Sequence, residues 1–262
     1  MSKKIDFIKR FFQDFYLVII LIFLYAPIAT MTVLSFNNSK SRTQWGGFTL
    51  KWYTQMFSSD TIMTALYNTL LIAFLSSLIA VIIGTAAAIA INGMKRVPRT
   101  IFMGITNIPM LNADIVTGIS LMLAFIAFGI SLGFKTILIA HITFNIPYVI
   151  LSVMPKLKQT DKSTYEAALD LGATPVYAFF KVIFPDILPG VLSGFLMSFT
   201  MSLDDFIITH FTRGAGINTL STLIYSEVRR GIKPSMYALS TIIFFTVLVL
   251  LLITNFAPKK KI

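Results

Sequence analysis

The sequence predicts an all-α membrane protein of six spanning helices, on three observations. The chain of 262 residues is 56% hydrophobic and only 13% charged, with a mean hydropathy of +0.80, a balance outside that of soluble globular proteins. Six apolar runs, each of roughly the 20 residues that cross a bilayer as a helix, occupy 15–36, 65–91, 101–128, 136–153, 187–210 and 237–256. Backbone groups in lipid must be satisfied within the segment, and no barrel-type alternation is present, so the runs read as helices. Third, the basic residues are uneven. The segments at the two termini, between runs two and three and between runs four and five hold 14 Lys and Arg, against 8 in the other connections. The richer side is expected to be cytoplasmic, with both termini on it.

Each segment has its own reading. In residues 1–14, Ile5, Phe7, Ile8, Phe11 and Phe12 recur at helical spacing between Lys4, Lys9 and Arg10, the pattern of an interfacial helix on the cytoplasmic leaflet. The apolar run behind it is too long for a signal peptide and lacks a small-x-small cleavage site, so it is expected to stay as the first span. Residues 15–63 comprise that span and an external loop rich in Ser, Gly and aromatics. Residues 64–257 hold five more spans, and 258–262 form a basic tail. Pro27, Pro109 and Pro147 lie inside expected spans, where proline kinks or interrupts a helix. The net charge of +11 reflects insertion and anionic lipid contact; no soluble basic domain exists to bind nucleic acid.

The sequence lacks the machinery of bond chemistry. With no cysteine there are no disulfides or thiolate metal sites. No His and acidic residues stand at metal-ligand spacing, and no phosphate-cradling Gly loop precedes a Lys-Ser or Lys-Thr pair. The chain is therefore read as non-enzymatic and free of bound cofactor or metal, with any nucleotide hydrolysis residing on another chain.

Between runs four and five lies a short helix with its own start and stop. Ser163 and Glu166 have capping-box spacing, Gly172 supplies a left-handed stop, and Pro175 restarts a helix at its first position. The stretch EAALDLGATPVYAFFKVIFP (residues 166–185) resembles the signature of the inner-membrane permeases of ABC importers: E-A-A, three residues, Gly, nine residues, Ile-x-Leu-Pro. Glu166, Ala167, Ala168, Gly172 and Pro185 match; Val182 and Phe184 replace the Ile and Leu. The resemblance implies the type I importer fold, with a coupling helix over about 163–175. Glu166, Ala167, Ala168, Asp170 and Gly172 would then seat in a cytoplasmic ATPase dimer, which would carry ATP and Mg.

Three carboxylates stand at membrane depth: Asp114 in the third run, and Asp204 and Asp205 in the fifth. Each costs on the order of 3 kcal/mol at the centre of a spanning helix, and no Lys or Arg lies inside any run to offset it. Either another cation or a water-filled cavity stabilises them, or the pair sits at the outer helix end in solvent. On a continuous helix Ser198, Ser202 and Asp205 would share one face, and Thr200 and Asp204 another. His141, Thr143 and Asn145 are expected to satisfy one another or neighbouring backbone.

An acidic interior without buried cations suits a polycation better than an anion, which would call for buried Arg or helix N-termini. LYAPI, GGFTLKWY, ADIVTGISL, HITFNIPYV, SFTMSLDDF and IYSEVRRGIKPSMYALST resemble the permeases of spermidine/putrescine importers over most of the chain. That resemblance implies a second homologous permease subunit and an extracytoplasmic polyamine-binding protein as partners. Asp114, Asp204 and Asp205 would balance ammonium charge along the path, with Ser202 assisting. Trp52 and Tyr53 would offer cation–π contacts at the entrance or anchor the chain at the membrane interface. A permease for another small substrate keeps the coupling helix and changes the path. An ion-coupled secondary transporter would show an inverted repeat, and none is visible.

Overall fold

The computed structural model describes the backbone of residues 2–256, and within it the side chains of residues 15–249 other than Lys162 and Val247. The described chain is helical, with one isolated antiparallel bridge between Asn37 and Phe48. Four helical stretches are long and apolar enough to cross a membrane: Phe15–Ser35, Asp60–Gly93, Phe134–Gln159 and Pro175–Asp204. The pair Arg96–Leu111 and Asp114–Ala127 makes a fifth if it counts as one span. The run expected at 237–256 falls within a helix at Pro234–Phe256, whose last side chains lie outside the described residues, as do the side chains of residues 1–14 and the tail at 258–262. The chain divides into two compact units, Thr64–Leu223 and a second made of Met1–Met63 with Ile224–Ile262.

In the second unit, α1 (Ser2–Ser35) is one continuous helix, so the short helix expected over 1–14 runs on into the first span, and Pro27 does not interrupt it. The loop after α1 folds around Asn37. Its Nδ2 donates to the Gln44 carbonyl at 2.8 Å, and its Oδ1 accepts from Gly46 N at 2.8 Å. Trp52, on α2 (Lys51–Phe57), is only 3% exposed and donates from Nε1 to the Asn37 carbonyl at 2.7 Å. The Tyr53 hydroxyl pairs with the Ser35 hydroxyl at 2.7 Å.

The unit Thr64–Leu223 contains most of α3 (Asp60–Gly93), then α4 (Arg96–Leu111) and α5 (Asp114–Ala127), which meet at a bend of 102°. A single kinked span was expected over 101–128. Pro109 instead sits inside the last turn of α4, and the helix stops three residues later, where Asn112 and Ala113 take extended backbone. Asp114 then opens α5, at the positive end of its dipole, where a carboxylate is favoured.

Next come α6 (Phe134–Gln159), which runs through Pro147 and Pro155, and α7 (Lys162–Asp170). Then α8 (Pro175–Ala178) passes through a π-helical turn, Phe179–Ile183, into α9 (Phe184–Asp204). The fifth run was expected to be helical over 187–210. It ends at Asp204, and a separate six-residue helix, α10 (Ile207–Thr212), follows. Two further helices, α11 (Leu220–Arg230) and α12 (Pro234–Phe256), complete the order.

Packing of α6 on α9 builds the core of this unit. Small residues recur every fourth position on α9, at Gly190, Gly194, Ser198 and Ser202, and all four are buried. Such a stripe lets two helix backbones approach closely. A Cβ added at Gly190 would stand 2.9 Å from the Ser152 carbonyl oxygen, and one at Gly194 would stand 3.3 Å from Val149 Cα. From α3, Gly84 meets the same region of α6, where an added Cβ would be 2.7 Å from Val149 Cβ. Val149, Val153, Ala80, Ala88 and Ile187 fill the space between the three helices.

The short helix α7 is stabilised locally. Its start differs from the expected capping box: Asp161, not Ser163, is the cap. The Asp161 carboxylate accepts from Ser163 N at 2.9 Å and from the Ser163 hydroxyl at 2.8 Å, so that hydroxyl is used as a donor and is no cap for Glu166. Its end is as the sequence suggests. Gly172 has φ +86°, its N–H reaches the Leu169 carbonyl at 2.9 Å, and Ala173 N reaches the Ala168 carbonyl at 3.1 Å, a Schellman pair.

Two outcomes test these elements. Gly190→Ala must push α9 off α6, so the purified protein should lose about 1–3 kcal/mol of stability, read as a lowered melting temperature. The Ser163 hydrogen bonds hold the Asp161 carboxyl below its ordinary range, so its stabilisation is present at neutral pH and is lost as pH falls through that depressed value. Amide-exchange protection over 163–166 should therefore exceed that of Asp161→Asn at neutral pH, and the difference should vanish in strong acid.

Candidate functional site

The breaks after α4 and α9 open on one cavity of about 460 Å³. Asp114, Asp204 and Asp205 all line it, so the structure brings together three carboxylates that lie up to 91 positions apart in sequence. Phe144 and Tyr148 from α6 and Phe206 from the α9–α10 break supply aromatic wall, and no Lys or Arg is among the lining residues. Phe144 packs edge-on to Tyr148, with centroids 6.5 Å apart. Irregular backbone at membrane depth is tolerated where it lines such a cavity.

The three carboxylates are not equivalent. Among the described residues, neither Asp114 nor Asp204 has a hydrogen-bond or ion-pair partner on another residue, and both are exposed in the chain. Asp204 is the last residue of α9, at the negative end of the helix dipole, a placement that gives it no internal support. Asp205, by contrast, is consumed. Its Oδ2 accepts from Thr209 N and from the Thr209 hydroxyl, both at 2.8 Å, and its Oδ1 accepts from Ile208 N at 3.3 Å. It thus caps α10, and the Ser221 hydroxyl donates to its backbone carbonyl at 2.6 Å. The expected helical face of Ser198, Ser202 and Asp205 therefore ends at Ser202, because Asp205 has left the helix.

His141 lies behind Asp205, 1% exposed, with Nε2 3.4 Å from Asp205 Oδ2 and 2.8 Å from Thr209 Oγ1. Its Nδ1 meets the Ser202 hydroxyl at 2.5 Å, and Ser202 meets Ser76 of α3 at 3.2 Å. Donor bookkeeping gives these contacts a direction. Thr209 donates its hydroxyl proton to Asp205, so it accepts from His141 Nε2–H; on the other side Ser202 links Nδ1 to Ser76, whose hydroxyl also reaches the Ala73 carbonyl at 3.3 Å. Of the other polar residues of α6, Thr143 bonds the neighbouring Ile139 carbonyl, as expected, whereas the Asn145 amide is buried with neither atom partnered.

Ser202 is thus a buried member of this network and does not line the cavity. Trp52, expected at a cation entrance, has its ring covered within its own unit, where Lys51 Nζ lies 5.1 Å from the ring centroid. His141, Phe144, Tyr148 and Phe206 were not singled out from the sequence as site residues. The signal for three of them was present in HITFNIPYV, where positions 141, 144 and 148 share one helical face.

Helices broken beside an acidic, aromatic-walled cavity, in a chain of membrane-length helices, define a component of a membrane transport system. The chain belongs to the binding-protein-dependent transport system inner membrane component family, whose model matches residues 76–261. It is a transporter subunit, not an enzyme. It is 36% identical over 254 residues to the spermidine/putrescine transport system permease protein PotC of Haemophilus influenzae, covering 97% of this chain and 99% of that one. It is 39% identical over 228 residues to the putrescine transport system permease protein PotI of Escherichia coli, covering 84% and 81%. Among solved structures, a bacterial ABC transporter that imports the acidic polysaccharide alginate superposes with a TM-score of 0.72 over 97% of this chain and 94% of that one, at 20% identity. That likeness establishes the fold.

The unequal partnering of the carboxylates gives a stability prediction. Asp205→Ala leaves the Thr209 hydroxyl and the backbone N–H groups of Ile208 and Thr209 short of an acceptor, at about 1–3 kcal/mol for each buried group left unpaired. It should lower the melting temperature of the purified protein, whereas Asp114→Asn, which loses only a helix-dipole interaction, and Asp204→Asn should change it far less.

Proposed function

We propose that this chain is the permease subunit of an ATP-driven importer that forms the membrane path for polyamines, spermidine and putrescine among them. The observation that carries the reading is the cavity: two unpartnered carboxylates, Asp114 and Asp204, beside aromatic faces and without a basic side chain in the lining. An ammonium group shed of water in a low-dielectric passage costs several kcal/mol unless paired. Carboxylates offset that cost, and aromatic faces add cation–π attraction. The two polyamine permeases described above, each similar over most of this chain, support the substrate class. Asp205 serves the same cavity by shaping it, Ser202 through His141; Tyr53 and Trp52 hold the fold of the loop they belong to.

The remaining machinery follows from the same reading. A second, homologous permease subunit would close the path, and an extracytoplasmic binding protein would deliver substrate. A solved alginate ABC transporter of the same fold, in complex with an alginate pentasaccharide-bound periplasmic protein, supports that reading. A cytoplasmic ATPase dimer, carrying ATP and Mg, would dock on α7. Support comes from its self-contained caps, from the exposure of Glu166, Ala167, Asp170 and Gly172, and from Leu171, Val176 and Tyr177, apolar yet 89%, 67% and 58% exposed. Large exposed apolar residues of this kind mark a docking surface. The 14-to-8 distribution of basic residues supports a cytoplasmic position for α7 and both termini.

Uptake of radiolabelled spermidine and putrescine, normalised to assembled complex in the membrane, tests the path. Asp114→Asn and Asp204→Asn should each lower uptake by about tenfold or more, the factor given by 1.4 kcal/mol of lost charge pairing. The loss should be larger for the trication than for the dication. Wild-type spermidine uptake in the double variant would refute the polycation path.

A further inference from the structure

We infer that His141 is a positioning residue for the cavity: it ties the aromatic wall to the acidic wall and thereby sets where Asp204 points. The inference rests on the cavity reading above and assigns a role to a residue that does not itself face the cavity. Two facts of placement carry it. His141 is on α6, one turn before Phe144 and two before Tyr148, the two aromatics that α6 gives to the cavity. Its partners across the gap, Ser202, Thr209 and Asp205, flank the α9–α10 break on both sides.

Two other hydrogen bonds reach this region: Ser221 donates to the Asp205 carbonyl at 2.6 Å, and Thr136 of α6 donates to the Thr212 carbonyl at the far end of α10 at 2.8 Å. Asp204 is the last helical residue of α9, Phe206 precedes α10, and both line the cavity. Asp205 between them is fixed from within α10 by its cap to Ile208 and Thr209. A cap of this kind holds the peptide to α10, but none of these contacts ties the two sides of the break to each other beside the aromatic wall. His141 supplies that constraint. Nδ1 grips α9 through Ser202, Nε2 grips α10 through Thr209, and the rigid ring fixes the separation between the two grips. The side chain is 1% exposed, so no water competes for either nitrogen. The groups facing it are Ser202, Thr209, Asp205 and the ring of Phe144 at 5.4 Å between centroids; none is a cation.

The imidazole thus acts on substrate through Asp204. An apolar replacement removes the one side chain that Ser202 and Thr209 share as a partner and frees the break. Glutamine can offer both a donor toward Thr209 and an acceptor toward Ser202, so it should restore part of the constraint.

The test uses the full complex in membranes and the natural absence of cysteine. Cysteines placed at Tyr148 and Phe206, on the two walls, report wall separation by the yield of a short bifunctional cross-linker, independently of any substrate. In that background His141→Leu should cut cross-link yield several-fold, and His141→Gln should recover most of it. In the background with native aromatics, His141→Leu should lower spermidine uptake by about tenfold, the size expected for loss of hydrogen bonds around a charged group. Combining it with Asp204→Asn should add little further loss, because both act through one carboxylate. If His141→Leu fails to assemble, Thr209→Val against Thr209→Ser provides the same comparison at near-constant shape, with Val expected to behave as Leu does and Ser as wild type. Unchanged cross-linking in an assembled His141→Leu or Thr209→Val complex overturns the positioning role. Altered cross-linking with unchanged polyamine uptake upholds it and counts instead against the cavity as the polyamine path.

Discussion

The structure of the larger unit depends on a helix that stops inside the membrane domain. Ending α9 at Asp204 exposes backbone donors and acceptors where lipid offers none, and each one left unmet costs several kcal/mol. Asp205 solves the problem by leaving the helix and turning its carboxylate onto the first N–H groups of α10, while Ser221 takes its carbonyl. The break becomes a stable corner, and the corner has room beside it. Asp114, at the start of α5 after a second break, opens on the same room.

This division of labour explains how three acids coexist without a basic neighbour. One is consumed by hydrogen bonds to the chain that it organises. The other two are left with unmet acceptor capacity, as the proposed path for cations would require. Carboxylates saturated by backbone donors would hold a shape but offer nothing to an ammonium group. Unsupported ones alone would have nothing to hold them in register with the aromatic wall. The neighbouring pair at 204 and 205 supplies both properties from adjacent residues.

Rigidity comes from the opposite device on the other side of the same helices. Where α9 passes α6, Gly190, Gly194, Ser198 and Ser202 bring the backbones into contact, so the bundle below the cavity cannot shift without a clash. The helix α7 is different again. It closes its own ends with Asp161 and the Gly172 motif, so it keeps its form with most of its surface uncovered. A segment built that way can meet a partner without first having to fold on it.

Much of this was legible in the sequence. Apolar run length dictated helices, because lipid leaves the backbone no alternative. Gly172 and Pro175 marked a stop and a restart, because those residues impose their backbone angles locally. The three carboxylates announced themselves because no nearby basic residue could explain them at membrane depth. What the sequence could not say was where helices break when proline is not the cause. Pro27 and Pro147 sit within unbroken helices, while α9 ends at Asp204, where the Asp205 carboxylate and partners on other helices, not backbone propensity, decide the end. His141, Ser202 and Thr209 likewise read as ordinary polar residues on separate segments. Only folding makes them one network, since a hydrogen bond between residues 61 and 68 positions apart leaves no local pattern for either residue to display.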